Sequence, residues 1–215
     1  MDVLLILAHA DDETLGAGGF VRKLSQQGHQ IRLIVASDAV VAMRHDASDN
    51  RLALEQACNI LGIGEYLSLG FKDQKFDTYP VAQIANAIHN KTGNPDLIIT
   101  HSPKDLNKDH RQVYEATMIV SRPRGKQISV LACEIPFVAA WNQQPFQPQL
   151  FVDISEFLEE KIKAFEAYSN ETRTFPDPYS SEGLRTLARY RGMESGYHAA
   201  EAFEIVRMFS PVFSL

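Results

Sequence analysis

One imidazole and three carboxylates follow directly on an apolar run near the start of the chain, in Ala8-His9-Ala10-Asp11-Asp12-Glu13-Thr14-Leu15-Gly16. Such a cluster suits a cation. Zinc takes nitrogen and oxygen ligands, and a catalytic zinc site typically combines three protein ligands with a water. His9 and Asp12 stand three residues apart, a separation that can bring an imidazole nitrogen and a carboxylate oxygen to one ion where a strand turns into a helix. N-capping is the alternative, because carboxylates suit the positive end of a helix that begins near Asp12. Capping accounts for one or two of the acids but not for His9, and spacing alone leaves both readings open. Phosphate binding at this turn fits poorly. Gly16-Ala17-Gly18-Gly19 misses the G-x-G-x-x-G spacing, with Val21 where the third glycine belongs, and three acids repel a phosphate.

The elements that must position these groups read as alternating strands and helices. Val3 to Leu7 is a short, continuous, branched-rich run of the kind a strand buried on both faces shows. Thr14 to Gln27 reads as a helix whose glycines allow a close approach to the sheet, ended by Gly28. Gln30 to Ala36 is a second strand, which delivers Ser37 and Asp38 to the same sheet edge and makes Asp38 either a neighbour of the cluster or a turn cap. A polar loop over 40–50 leads to a helix from Ser48 to Leu61, with Leu52, Leu54, Ala57, Ile60 and Leu61 mostly on one side. Tyr66 to Leu69 is a weak third strand, Val81 to Asn90 a helix, and Asp96 to Thr100 a fourth strand ending at His101. Such alternation predicts a three-layer, Rossmann-like α/β fold with a mostly parallel, doubly wound sheet, carrying the metal site at the carboxyl ends of the strands. The loop after strand four should then open beside the loop after strand one, at the switch point where ligands bind. That loop is Lys104-Asp105-Leu106-Asn107-Lys108-Asp109-His110-Arg111, and it offers a third ligand in His110 at a helix start. Asp109 beside it can support the ligands or cap the helix.

At 215 residues and 45% hydrophobic, the chain can bury one substantial core, and one domain over 1–215 is expected. A net charge of −6 and the lack of a basic run argue against nucleic acid or an anionic membrane as partner. The apolar start has no positive n-region or small-residue cleavage site, and no apolar stretch is long enough to span a bilayer, so a soluble cytoplasmic protein is expected. Cys58 and Cys133 are isolated in apolar contexts and read as buried thiols. Later in the chain, Gln127 to Glu134 and Phe151 to Ser155 read as strands, Pro136 to Pro148 as a loop holding Trp141, and Ser155 as a cap for a helix running through Tyr168. Trp141 reads as a plug at a core edge or a stacking surface for a sugar ring. A proline-rich connection from Thr174 to Tyr179 could wall the site. A helix from Ser181 to Ser195 and a final extended segment close the chain.

Ala8-His9-Ala10-Asp11-Asp12-Glu13 resembles the signature of the PIG-L/LmbE-like zinc-dependent N-deacetylases, usually written A-H-P-D-D-E, and Asp105 to His110 resembles its downstream metal motif. Weaker echoes keep the same order. They are Arg51-Leu52-Ala53-Leu54-Glu55 with Leu61-Gly62, Leu69-Gly70 with Asp73, and Arg191-Gly192, Gly196 and Ala200-Glu201-Ala202-Phe203. The resemblance implies that His9, Asp12 and His110 bind zinc, or another divalent transition metal such as ferrous iron. It implies Asp11 as general base and Arg51 as a substrate contact. The implied activity is removal of the N-acetyl group from an N-acetylglucosamine-type sugar or sugar conjugate by a zinc-activated water, with a small amino sugar as partner and a homo-oligomer as a compatible assembly. Ala10 departs from the usual proline, and Asn107 stands where some members carry a charge-stabilising histidine. His101 and His198 are the residues to test for that role. The alternatives are a non-catalytic Rossmann-like module for a nucleotide or sugar, and an amidase for a related amide.

Overall fold

The computed structural model describes residues 1–41 and 49–209. Its elements run β1 (Asp2–Leu7), α1 (Asp12–Gln26), β2 (Gln30–Ser37), α2 (Arg51–Leu61), β3 (Glu65–Phe71), α3 (Val81–Thr92) and β4 (Leu97–His101). There follow α4 (Lys108–Val120), β5 (Ser129–Cys133), α5 (Val138–Trp141), β6 (Leu150–Asp153), α6 (Leu158–Glu166), α7 (Ser181–Ser195) and β7 (Ala200–Arg207). The strands form one sheet in the order β3-β2-β1-β4-β5-β7-β6. The first five are parallel, and β7 and β6 add to the edge antiparallel. The chain thus builds outward from β1 to β3 and then crosses to β4 on the other side, so the crevice between the ends of β1 and β4 is the switch point.

Helices cover both faces. Val3, Leu5 and Leu7 of β1 point into a core shared with α1, α2, α6 and α7, while Leu4, Ile6 and Ala8 point into a second core against α3 and α4. Both side-chain sets of β1 are fully buried, which is why its sequence runs apolar without alternation.

The glycines of α1 serve approach. A Cβ on Gly16 would come 2.6 Å from Cys133 Sγ, and one on Gly19 would come 2.8 Å from Ile154. Where side chains are missing, an ion pair reaches the helix backbone. The N–H groups of Gly19 and Phe20 donate to the two carboxylate oxygens of Glu201 at 2.9 and 2.7 Å. Lys161 Nζ donates to Glu201 at 2.6 Å and to the carbonyl of Leu15 at 2.9 Å. Both side chains are buried, so the pair fixes α1, and with it the cluster at its start, against α6 and β7.

Several sequence expectations need correction. Helix α2 begins at Arg51, Ser48 lies outside the described residues, and Leu52 is 74% exposed rather than on the apolar face. The stretch 136–148 contains the short helix α5, and Trp141 is 54% exposed, so it does not plug a core edge. Ser155 does not cap α6, whose first turn has no side-chain cap; its N–H and hydroxyl bond Asp153 instead. Cys58 and Cys133 are free and buried, as expected.

Removing one partner of a buried pair leaves an uncompensated charge, so Lys161→Met should cost about 3–5 kcal/mol of stability. Urea unfolding checks this. The double change Lys161→Met with Glu201→Gln should cost less than the two single changes summed; strict additivity would show that the pair does not act as a unit.

Candidate metal centre

The cluster forms where β1 turns into α1. Asp11 precedes the helix with φ 135° and ψ −27°, a strained conformation for a side-chain-bearing residue. Its backbone is held there from several sides. The carbonyl accepts from Thr14 N–H at 2.9 Å, Leu15 N–H at 3.1 Å and Thr14 Oγ1 at 2.7 Å, and its own N–H donates to Glu13 at 3.2 Å. The Asp11 carboxylate makes no capping hydrogen bond, so capping does not explain it. Asp12 accepts the His9 N–H at 2.8 Å instead, and Glu13 is buried against the Tyr168 hydroxyl at 2.7 Å.

His110 enters from the start of α4, whose cap is Asn107 accepting the Asp109 N–H at 2.9 Å. His110 Nδ1 lies 2.7 Å from Asp105 Oδ2, so that nitrogen carries the proton and Nε2 presents a lone pair. His9 Nε2 lies 3.0 Å from Asp73 and 3.2 Å from Asp109, which holds a proton on that side and turns Nδ1 toward His110. Asp109 is itself pinned by N–H groups of Gln74 at 2.7 Å and Phe76 at 3.1 Å. His9 Nδ1 and His110 Nε2 therefore face each other at 3.1 Å, within hydrogen-bond reach, with Asp12 oxygens 3.6 Å from His9 Nδ1 and 3.5 Å from His110 Nε2. Tetrahedral zinc with ligands at its usual distances has ligand-to-ligand edges of about 3.3 Å. The donor set fits that ion.

Two further groupings, His101 with Asp105 and His110, and His9 with Asp73 and Asp109, are also compact enough to hold an ion. Asp105 is there bonded to His110 Nδ1, and Asp73 and Asp109 to His9 Nε2, and neither His101 nor Asp105 nor Asp109 lines the cavity at the triad. His9, Asp12 and His110 line a cavity of about 460 Å³, within the range of small-molecule sites, and Asp11 lines it beside them.

Burial alone raises the Asp12 carboxyl, but His110, His101 and His9 outweigh that and hold it below the usual carboxylate range. Burial lowers His9, yet its bonds to Asp109 and Asp73 and the charge of Asp12 leave it well above the ordinary value. Burial, then the charges of Asp12 and Glu171, push Asp11 well up. Burial pushes Glu13 to about 7. A divalent cation at the triad opposes this crowding of negative charge.

The other sequence candidates are placed differently. His101 is fully buried behind the triad, stacked on the His110 ring at 3.9 Å with Nε2 accepting the Ala8 N–H at 2.9 Å, and does not line the cavity. His198 is exposed and also off the cavity. Asp38 pairs with Lys72 at 3.0 Å, and Arg51 turns onto Asp49 instead of Glu55 or the cavity. Arg191, part of the C-terminal echo, is tied to Glu134 and Glu194. The residues alone assign no role to Asp105 and Asp73, which orient the histidines, or to Glu171 and Arg173, which wall the cavity; Tyr179, at the end of the proline-rich segment expected as a wall, does line it. Asp105 had a signal in its place within the downstream motif; Glu171 and Arg173 had none.

The family model described as PIG-L, GlcNAc-PI de-N-acetylase, matches residues 4–121, more than half of the chain. The chain is 27% identical to a diacetylchitobiose deacetylase from Thermococcus kodakarensis, over 95% of this chain and 82% of that protein. It is 28% identical to a probable N-acetyl-alpha-D-glucosaminyl L-malate deacetylase from Bacillus cereus, over 79% and 83% respectively. Its fold is similar to that of the N,N'-diacetylchitobiose deacetylase from Pyrococcus horikoshii solved with an inhibitor, with a TM-score of 0.76, 20% identity, and coverage of 99% of this chain and 88% of that one.

Carboxylates that orient a ligating histidine tune its affinity, so Asp105→Asn should weaken zinc binding about 10- to 100-fold. Competition with a chromogenic chelator measures it; an unchanged affinity would remove Asp105 from the site.

Proposed function

The chain belongs to the PIG-L family of de-N-acetylases, and from that premise we propose that it removes the N-acetyl group from an N-acetylglucosamine-type sugar or sugar conjugate. In this reading His9, Asp12 and His110 hold zinc and Asp11 is the general base. The observation that carries it is the convergence of two imidazole nitrogens and a carboxylate on one point of a cavity, beside a second acid, Asp11, that is not one of the three. Bound there, zinc supplies a Lewis acid that polarises an amide carbonyl and acidifies water. The same donor set suits ferrous iron, but hydrolysis needs no redox change.

The side chains divide the remaining work. Asp11 takes the proton of the attacking water as the C–O bond forms, and returns it to the departing nitrogen as the C–N bond breaks, giving acetate and a free amine. Its fixed, strained backbone keeps that carboxylate off the helix end and toward the cavity. Tyr179 also lines the cavity, with a phenol that burial and the nearby charges of Asp11 and Asp12 keep protonated, hence a hydrogen-bond donor to substrate. Leu15, Val40 and Val41 offer apolar surface for the carbon face of a sugar ring. Asn107 is committed to capping α4, so the histidine role some relatives fill at that place passes to another group or is absent. Among the described residues no helix is long and apolar enough to cross a membrane. A cytoplasmic enzyme working as one unit over the whole chain is part of this proposal, and the two free thiols agree with it.

The test is free-amine release from a panel of N-acetylglucosamine conjugates, before and after chelation and zinc restoration. About one zinc per chain is expected. Asp11→Asn should keep the metal and lose turnover by about 10²–10⁴-fold, whereas His110→Ala should lose both. Metal loss in Asp11→Asn would overturn the role assigned to Asp11, and a metal-loaded protein that releases no amine from any member of the panel would overturn the reaction.

A further inference from the structure

Beyond the cavity at the triad lies a second one of about 360 Å³, and Gln74 and Asn107 line both. Its floor is apolar and open. Trp141 is 54% exposed, and Leu106 and the adjoining Phe137 are each 48% exposed, although large apolar side chains normally find cover. The Phe137 and Trp141 rings lie 6.3 Å apart and tilted by 30°. Phe137 holds its backbone at φ 63°, in the left-handed region that a bulky residue rarely adopts, so this presentation is imposed on the chain at a cost. The rings are also tied to the metal loop. Leu106 N–H donates to the Val138 carbonyl at 3.3 Å, and Asn142 Nδ2 donates to the carbonyl of Lys104 at 3.1 Å, one residue before Asp105.

We infer that Trp141, with Phe137 and Leu106, is a stacking platform for a second sugar ring, glycosidically joined to the ring whose acetamide lies at the triad. The inference rests on the deacetylase reading and names its substrate class as a disaccharide or longer glycan. Continuity with the triad cavity places the platform where the remainder of a substrate must emerge. The rim identifies a sugar rather than a lipid or a protein face. Gln74 and the Asp77–Lys108 pair, 3.3 Å apart, ring the aromatic floor with donors and acceptors. A pyranose presents that combination: a carbon face that packs on an aromatic ring and hydroxyls at its edge.

Trp141 is the chain's one tryptophan, so emission excited beyond the absorption band of the seven tyrosines reports this position alone. In the Asp11→Asn protein, titration with a β-linked N-acetylated disaccharide should change the emission saturably, while N-acetylglucosamine at equal concentration should not. In the wild-type background, Trp141→Ala should lower the ratio of kcat/KM for disaccharide over monosaccharide by about tenfold, mainly through KM, and Trp141→Phe should restore most of it. An emission that ignores the disaccharide, or an unchanged ratio, overturns the platform. So does emission that depends on protein concentration together with a Trp141→Ala protein of smaller size on gel filtration, which would make this face a contact between copies. A saturable emission response without amine release from either sugar would uphold the platform and overturn the reaction, which keeps the two failures apart.

Discussion

Two imidazole nitrogens and the Asp12 carboxylate converge to within 3.6 Å, while the outer nitrogen of each ring is bonded to a carboxylate. Asp105 takes the proton side of His110, and Asp73 and Asp109 take that of His9. A cation at the common point would replace the proton that His9 Nδ1 and His110 Nε2 otherwise share. The supporting carboxylates thus do more than decorate the histidines: they set which nitrogen of each ring faces the common point.

Holding that arrangement is a demand on the whole sheet. His9 follows β1, His110 follows the loop after β4, and these strands are neighbours only because the chain crosses sides after β3. Asp73 comes from the loop after β3, so three strand ends must agree to within a fraction of an ångström. Helix α1 carries two of the acids at its start and is fixed further along by Glu201, which belongs to the last strand and accepts the N–H groups of Gly19 and Phe20. The antiparallel addition at the sheet edge therefore bears on the centre without touching it. The strain at Asp11 is tolerated for the same reason, since hydrogen bonds on both sides of the residue fix its backbone.

What could be read from the residues follows from where each influence acts. The mostly parallel sheet with β4 beside β1 and the meeting of His9, Asp12 and His110 were legible, because strand burial writes continuous apolar runs and ligands sit at the ends of those runs; the antiparallel placement of β7 and β6 at the edge leaves no such signal. Asp105 and Asp73 were quoted in motifs but given no role, since which face of a ring they touch depends on loop geometry that spacing does not encode. The capping alternative was open in the sequence and is decided by backbone: at φ 135° the Asp11 side chain is not aimed at the helix N–H groups. Leu52 misled because it interrupts the pattern by one position, and Trp141 because an exposed tryptophan and a core one look alike in a list of residues. Arg51 sits near the site in the chain but finds Asp49 two residues away, a local partner that wins over a distant one.

The same electrostatics bears on the alternative of a nucleotide-binding module. A phosphate at the end of β1 would use the N–H groups that open α1 and the positive end of that helix. Here Asp12 and Glu13 occupy the first turn from within the chain, and Asp11, Asp73 and Glu171 line the cavity with Arg173 as the one lysine or arginine among its described walls. A polyanion entering it meets net negative charge from the protein. A dication at the triad would offset about two of those charges, which makes the cavity tolerable for a neutral acetamido sugar and still poor for a pyrophosphate. The glycines after the acids point the same way, since Gly16, Gly18 and Gly19 face Cys133, Lys161 and Ile154 inside the protein and leave no backbone for a ligand to approach. A Rossmann-like strand order is thus used with the opposite charge logic, and the opening turn selects for a cation where the dinucleotide folds select for an anion.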